Sequence, residues 1–313
     1  MLMVLGGAAA SPLCAHAQQA PGETGTTGFD PRLTPARSDL AARHLAGSVD
    51  AKRFADGETY EVASACAPLR RQPADDAELM TEALEGERLT VYDTTEDGWA
   101  WGQLAADGYV GFLPARTLRA PGPQPTHKVS ALRTFVFPAP SIKLPPLETL
   151  SFGAQLAVAQ VEGSFAVTVT GGYVSLLHVA PLATMENDFV GVAERFLGTP
   201  YLWGGKTSVG LDCSALVQLA LTACGVSCLR DTDMQERTIG GALDPQQALQ
   251  KLQRGDLIFW KGHVAIARDA RTLVHANASR HMAVAFEDAG EAVARIAATG
   301  SEISSVRRLP FRS

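Results

Sequence analysis

Cys213 stands where a turn-rich approach gives way to an apolar helical stretch. In GTPYLWGGKTSVGLDCSALV (198–217), Gly198, Pro200, Gly204, Gly205 and Gly210 precede Asp212-Cys213-Ser214, and Ala215, Leu216, Leu219 and Ala220 then recur at helical spacing. The spacing predicts a helix over Ser214 to Ala223, with Cys213 at or inside its first turn. Open amide N–H groups at a helix start, together with the helix dipole, favour a thiolate, the form in which cysteine is a nucleophile. The same amides suit an oxyanion, so the Cys213 N–H is a candidate donor to a tetrahedral intermediate.

A thiol nucleophile needs a base within hydrogen-bond reach, and the base needs a third group to fix its tautomer. Two histidines offer this. Segments 255–260, 262–267 and 272–276 read as consecutive strands with short turns, and they carry His263 and His275 on neighbouring strands joined through Asp269-Ala270-Arg271. His263 is the expected base and His275 its orienter. His16, His44, His127, His178 and His281 have no comparable pairing. Cys224 and Cys228 could meet across one helical turn, but two cysteines do not complete a zinc site, so neither metal nor cofactor is expected. Gly205-Lys206-Thr207 imitates the end of a phosphate-binding loop. The glycine that motif needs five places earlier is Pro200 here.

These residues must be positioned by what surrounds them. Asn187 or Asp188 can cap a helix bearing Val192, Ala193, Phe196 and Leu197, and Ser304 to Leu309 reads as an edge strand, while 231–240 is polar without a strand signal. Helices first and an antiparallel meander second give an α+β domain over 185–313. Upstream, 57–120 is a string of short strands with turns at Glu96-Asp97-Gly98 and Asp107-Gly108, which a small barrel accommodates most economically. DGWAWGQLAADGYVGFLPARTL and EGSFAVTVTGGYVSLLHVAPL form a weak internal repeat. A second barrel is therefore expected over 127–182, after the linker APGPQP. Residues 33–56 are expected to hold a short helix capped by Asp39, with Leu40 and Leu45 on its apolar side. Residues 1–32 read as a flexible leader or a possible signal.

At these positions the sequence resembles the NlpC-type family of papain-like cell-wall peptidases. GTPYLWGG (198–205), LDCSALV (211–217), GDLIFW (255–260), GHVAI (262–266) and LVHAN (273–277) occur in the family's order. The resemblance implies Cys213 as nucleophile, His263 as base, His275 as third polar residue, and a Tyr201 hydroxyl that helps the Cys213 amide hold the oxyanion. Ala215 departs from the glycine common at that position. Two SH3-like barrels ahead of a papain-like cysteine peptidase domain look like the γ-D-glutamyl-L-diamino acid endopeptidases. That likeness implies hydrolysis between γ-D-glutamate and meso-diaminopimelate or lysine in short peptidoglycan peptides with a free N-terminal L-alanine. Asp212 and Ser214 match positions that contact the amine end, Tyr109 matches an aromatic that the first barrel places over the pocket, and Trp203 is a further substrate contact. A wall-binding protein or a broader amidase is the alternative.

Composition bounds the partners. Lys+Arg 27 against Asp+Glu 33, a formal charge of -6, with no long basic run, argues against nucleic acid. No uncharged apolar run of about 20 residues reads as a membrane span. Ala15-His16-Ala17 resembles a cleavage site, but the first basic side chain other than histidine is Arg32. A cytoplasmic location is favoured over export, the compartment otherwise staying open. The five cysteines show no repeated disulfide spacing. Oligomeric state is not legible.

Overall fold

The computed structural model describes residues 28–310. The Ala15-His16-Ala17 segment and the rest of the leader up to residue 27 lie outside the described residues.

The first barrel is one continuous antiparallel sheet. Its seven strands run in the order Leu79–Leu84, Cys66–Arg70, Val110–Pro114, Trp99–Leu104, Arg88–Thr94, Glu58–Val62, Leu118–Arg119. Alternate residues Val62, Leu69, Leu89, Val91, Leu104 and Leu113 turn inward to a single core, so the sheet must curl around them. Both expected turns carry a glycine in the left-handed region, Gly98 at φ 83° and Gly108 at φ 75°.

Two expectations for the flanking segments need correction. Residues 33–56 contain no α-helix, only a 3-10 turn at Arg43–Leu45 and a short parallel pair of Ala41–Ala42 with Phe54–Ala55. Leu40, Ala41 and Ala42 are all buried, a consecutive run that a surface helix cannot bury on one face. Asp39 does not cap; its carboxylate accepts from the Arg37 guanidinium at 3.0 and 2.8 Å. The second barrel is likewise not seen as a barrel. Residues 127–181 form two separate sheets, five strands and three strands, around a small core that includes Val129, Leu150, Leu156 and Val174. The repeat was too short to specify closure, and only one barrel-like sheet is present among the described residues.

The C-terminal half is α+β, as expected. Its six-stranded antiparallel sheet has the order Gly241–Leu243, Ile303–Arg308, Leu257–Trp260, His263–Ala267, Thr272–Asn277, Ala283–Asp288. The last strand of the chain is thus an interior strand, not the expected edge. Helices α1 (Phe189–Glu194) and α2 (Cys213–Ala223) cover one face against Val264, Ile266, Val274, Ala276 and Val284. On the other face, α4 (Pro245–Gln250) and α5 (Ala289–Ala297) contribute Ala248, Ala289, Ala292 and Ile296 to a core with Ala265, Ala267 and Leu273. The polar 231–240 stretch holds α3 (Thr232–Thr238). No helix among the described residues is long and apolar enough to cross a membrane.

The halves share their cores. Met234 of α3 is buried in the barrel core, and Phe152, from the five-strand and three-strand segment, is buried in the core of the C-terminal half, its ring edge-on to Phe196 at 5.7 Å. Lys206 enters the barrel side: its ammonium pairs with Glu87 at 2.9 Å and its N–H donates to Glu82 at 2.7 Å. The lysine that imitates a phosphate binder is a buried tie between the halves.

Candidate active site

Helix α2 begins at the nucleophile candidate because Asp212 caps it. The Asp212 carboxylate accepts from the Ala215 N–H at 2.8 Å, satisfying one of the helix's open first-turn donors. The helix ends in a left-handed Gly225 at φ 77°, where the Gly225 and Val226 N–H groups donate to Thr222 and Leu221. Ten of its eleven residues are buried, so the thiol is presented by a rigid, central element.

Burial governs the thiol. It pushes Cys213 up to about 12, the Asp212 charge adds to this, and the Val264 N–H, Arg230 and the Ser214 N–H oppose it. The dipole effect expected at a helix start is outweighed, and the resting form is the thiol. The Val264 N–H bonded to the sulfur also locates it: the thiol lies at the head of the strand that starts with His263.

The two histidines meet as expected. His263 Nε2 lies 3.0 Å from His275 Nδ1. The two-residue turn Lys261-Gly262 sets Trp260 opposite His263, and the Trp260 ring lies over the His263 ring at 5.6 Å. Burial lowers His263 to about 3, with the charges of His275 and Arg295 adding, and burial lowers His275 to about 4 against the opposing charge of Glu287. Both rings are neutral at neutral pH, and a neutral imidazole can accept the thiol proton.

Glu287 was not among the expected site residues. Only 4% exposed, it accepts from His275 Nε2 at 3.0 Å, and it is gripped by Arg295 at 2.8 and 2.9 Å and by Arg280 at 2.9 Å. Burial opposes its charge, but Arg295, His275 and Arg280 outweigh that and hold the carboxyl at about 2. Its strand, Ala283–Asp288, follows a short turn and opens on the apolar run Ala283-Val284-Ala285-Phe286, a signal that could have placed it beside the His275 strand.

The remaining expected residues fall into two groups. Tyr201 is half-buried close enough to feel the Cys213 and Asp212 charges; burial raises its phenol first and those charges add, so its hydroxyl stays a donor. With Leu202, Pro200, Cys66 and Glu82 it lines a cleft of about 430 Å³ between barrel and catalytic half. Trp203 is 57% exposed and does not line that cleft. Asp212 and Ser214, by contrast, are spent on each other and on Arg230. That guanidinium, 0% exposed, donates to both Asp212 oxygens at 2.9 and 2.7 Å and to the Ser214 hydroxyl at 2.7 Å, while the Gly204 N–H and Ser214 Oγ also donate to Asp212. Arg230 too escaped sequence reasoning, lying in a polar stretch without periodicity.

Tyr109 does not stand over the mouth. It is 1% exposed in the barrel core, and its hydroxyl crosses the seam to donate to Asp231 at 2.9 Å, where Arg32 donates at the same distance.

Comparison with known proteins bears on the family and the fold. Residues 198–294 match the NlpC/P60 family, and residues 69–118 match the bacterial dipeptidyl-peptidase Sh3 domain. Dipeptidyl-peptidase 6 of Lysinibacillus sphaericus is 36% identical over 92 residues, 29% of this chain and 32% of that protein. Gamma-D-glutamyl-L-lysine dipeptidyl-peptidase of Bacillus cereus is 28% identical over 232 residues, 63% of this chain and 67% of that protein. The chain thus spans about a third of the first relative and about two thirds of the second. In the crystal structure of an NlpC/P60 family protein from Bacillus cereus, the fold is shared at a TM-score of 0.67 with 21% identity, over 81% of this chain and 100% of that one.

Proposed function

Starting from a chain that belongs to the NlpC/P60 family of papain-like cysteine peptidases and carries an SH3-like domain, we propose that it hydrolyses the bond between γ-D-glutamate and an L-diamino acid in short peptidoglycan peptides. The observation that carries the reading is the His263–His275 pair, 3.0 Å apart, with Val264, the residue after His263, bonding its N–H to the Cys213 sulfur at the head of a buried helix. The finer specificity draws on the printed activity of the Bacillus cereus relative and on the cleft that Tyr201 shares with the barrel.

In this mechanism His263 Nδ1 takes the thiol proton as the sulfur bonds to the γ-carbonyl carbon. The carbonyl electron pair moves to oxygen, where the Cys213 N–H and the Tyr201 hydroxyl donate. Collapse breaks the C–N bond, and the leaving amine takes the proton from His263. Water then attacks the thioester, giving a proton to His263 that returns to sulfur as the acid leaves. A substrate ammonium cannot rely on Asp212, which Arg230 already neutralises. Glu82, half-buried in the cleft wall, is the carboxylate we assign to it, and the exposed Trp203 is kept as a further substrate contact.

Incubation with L-Ala-γ-D-Glu-meso-diaminopimelate and its lysine counterpart should release L-Ala-γ-D-Glu, read by mass spectrometry. Cys213→Ala should abolish release while unfolding at a temperature close to wild type. Intact tripeptide after incubation with folded wild type would reject the assigned bond. The saturation of Asp212 favours one second reading, a broader wall-peptide amidase indifferent to the amine. Equal kcat/KM for the free and N-acetylated tripeptides, unchanged in Glu82→Gln, would establish that reading instead.

A further inference from the structure

We propose that Glu287 is a positioning residue that sets the protonation of both histidines, adding a third hydrogen-bonded group to the His263–His275 pair assigned to serve the Cys213 thiol. The inference rests on the peptidase reading for its catalytic consequence, but its structural content stands without it.

The argument is a chain of donors and acceptors. Glu287 faces two guanidiniums and one imidazole, and its carboxylate can only accept. His275 Nε2 must therefore carry a hydrogen. A neutral imidazole has only one, so His275 Nδ1 is a bare acceptor. It faces His263 Nε2 at 3.0 Å, which must then be the donor. The one hydrogen of neutral His263 is thereby spent, and its Nδ1 is left as the unprotonated nitrogen. A base for the thiol needs that tautomer, and it is dictated two residues away.

Strand register builds the line. His275 pairs with Ala285 and Leu273 with Glu287, so Glu287 lies one diagonal step from His275 on the same face. Ile266 pairs with Val274, and the same register puts His263 one diagonal step from His275 on the other side. Diagonal neighbours are within reach of long side chains. The three groups cross three adjacent strands at a constant offset of twelve residues. Arg295, from α5, and Arg280 close the far end. Besides Glu287 and His263, the charged or titratable groups that act on His275 are Arg295 and His281.

Replacing Glu287 by glutamine tests this directly, because an amide has one accepting and one donating end. The Oε1 side faces Arg280 and Arg295, which both donate; the Oε2 side faces Arg295 and His275. Each side meets two donors, but of the three groups only His275 can turn into an acceptor, so the amide NH2 takes the Oε2 side and His275 must present a bare Nε2 there. The proton order then reverses, and His263 Nδ1 carries a hydrogen toward the thiol. We expect Glu287→Gln to lower kcat about a hundredfold with KM within about twofold, and Glu287→Asp to recover part of it. Nitrogen-15 NMR of the histidines in the wild-type full chain at neutral pH should show both rings protonated on Nε2, and Glu287→Gln should move both protons to Nδ1. His263 protonated on Nδ1 in wild type, or a folded Glu287→Gln with wild-type kcat, would overturn the proposal. Should that variant fail to fold, the wild-type spectrum decides. Should the wild type leave the tripeptide uncut, the peptidase reading falls and the tautomers still judge this one.

Discussion

At the scale of single residues, the two histidines are not equivalent. His263→Ala removes the group that exchanges the proton, and we expect kcat/KM to fall at least about a thousandfold. His275→Asn leaves an amide oxygen that can accept from His263 Nε2, and we expect a smaller loss, about ten- to a hundredfold. A reversed ranking in folded variants would exchange the roles of base and orienter. The same groups link stability to pH. His263 and His275 are held near 3 and 4, below an unfolded value near 6.5, so unfolding takes up protons between those limits and stability falls as pH drops from about 6.5 to 4. Glu287, held at about 2, extends the loss from about 4.5 downward. Glu85, which burial raises to about 7, acts with the opposite sign above about 4.5. The difference in melting temperature between wild type and His275→Asn, measured from pH 4 to 8, should therefore shrink toward the acid end.

At the scale of the element, α2 depends on a charge that no local pattern announces. Arg230 reaches Asp212 and Ser214 from a stretch beyond the helix, and also donates to Thr81 of the barrel at 2.8 Å. Arg230→Met should cost about 3 to 5 kcal/mol, because the Asp212 carboxylate is left buried without its partner. Adding Asp212→Asn should recover part of that loss in urea unfolding, the mark of a coupled pair. The helix itself was legible: glycines before it, an aspartate cap and an apolar run suffice to place it within a residue. The strands bearing His263 and His275 were legible for the same reason, since alternation and short turns are local. Arg230 and Glu287 were not, because their meaning lies in partners 18 and 12 residues away. The segment around Leu40 misled because Asp39 ahead of Leu40 and Leu45 looks like a capped amphipathic helix, and the burial of Leu40, Ala41 and Ala42 in a row shows only once the surfaces on both sides are known.

At the scale of the whole molecule, the seam is built as an interior. Glu87→Ala leaves the Lys206 ammonium, 4% exposed, with no countercharge at its former partner, and we expect a loss of about 3 to 5 kcal/mol together with lower activity. A truncated chain of residues 185–313 loses Phe152, Glu87 and Thr81 at once. It should show no cooperative thermal transition by circular dichroism; a sharp one would show that the catalytic half stands alone.

Lys206 lies seven residues before the nucleophile, and its partner Glu87 lies more than a hundred residues earlier in the chain. A ribosome delivers such a chain from the amino end, and the earlier unit folds first. The barrel therefore waits, with Thr81 and Glu82 on a strand and Glu87 in the turn that follows it, before the segment that carries Lys206 and Cys213 has emerged. Those acidic and hydroxyl groups act as a mould, and the hydrolytic centre is cast against it last. A nascent chain stalled short of Glu287 would hold its thiol in place and still be unable to cut.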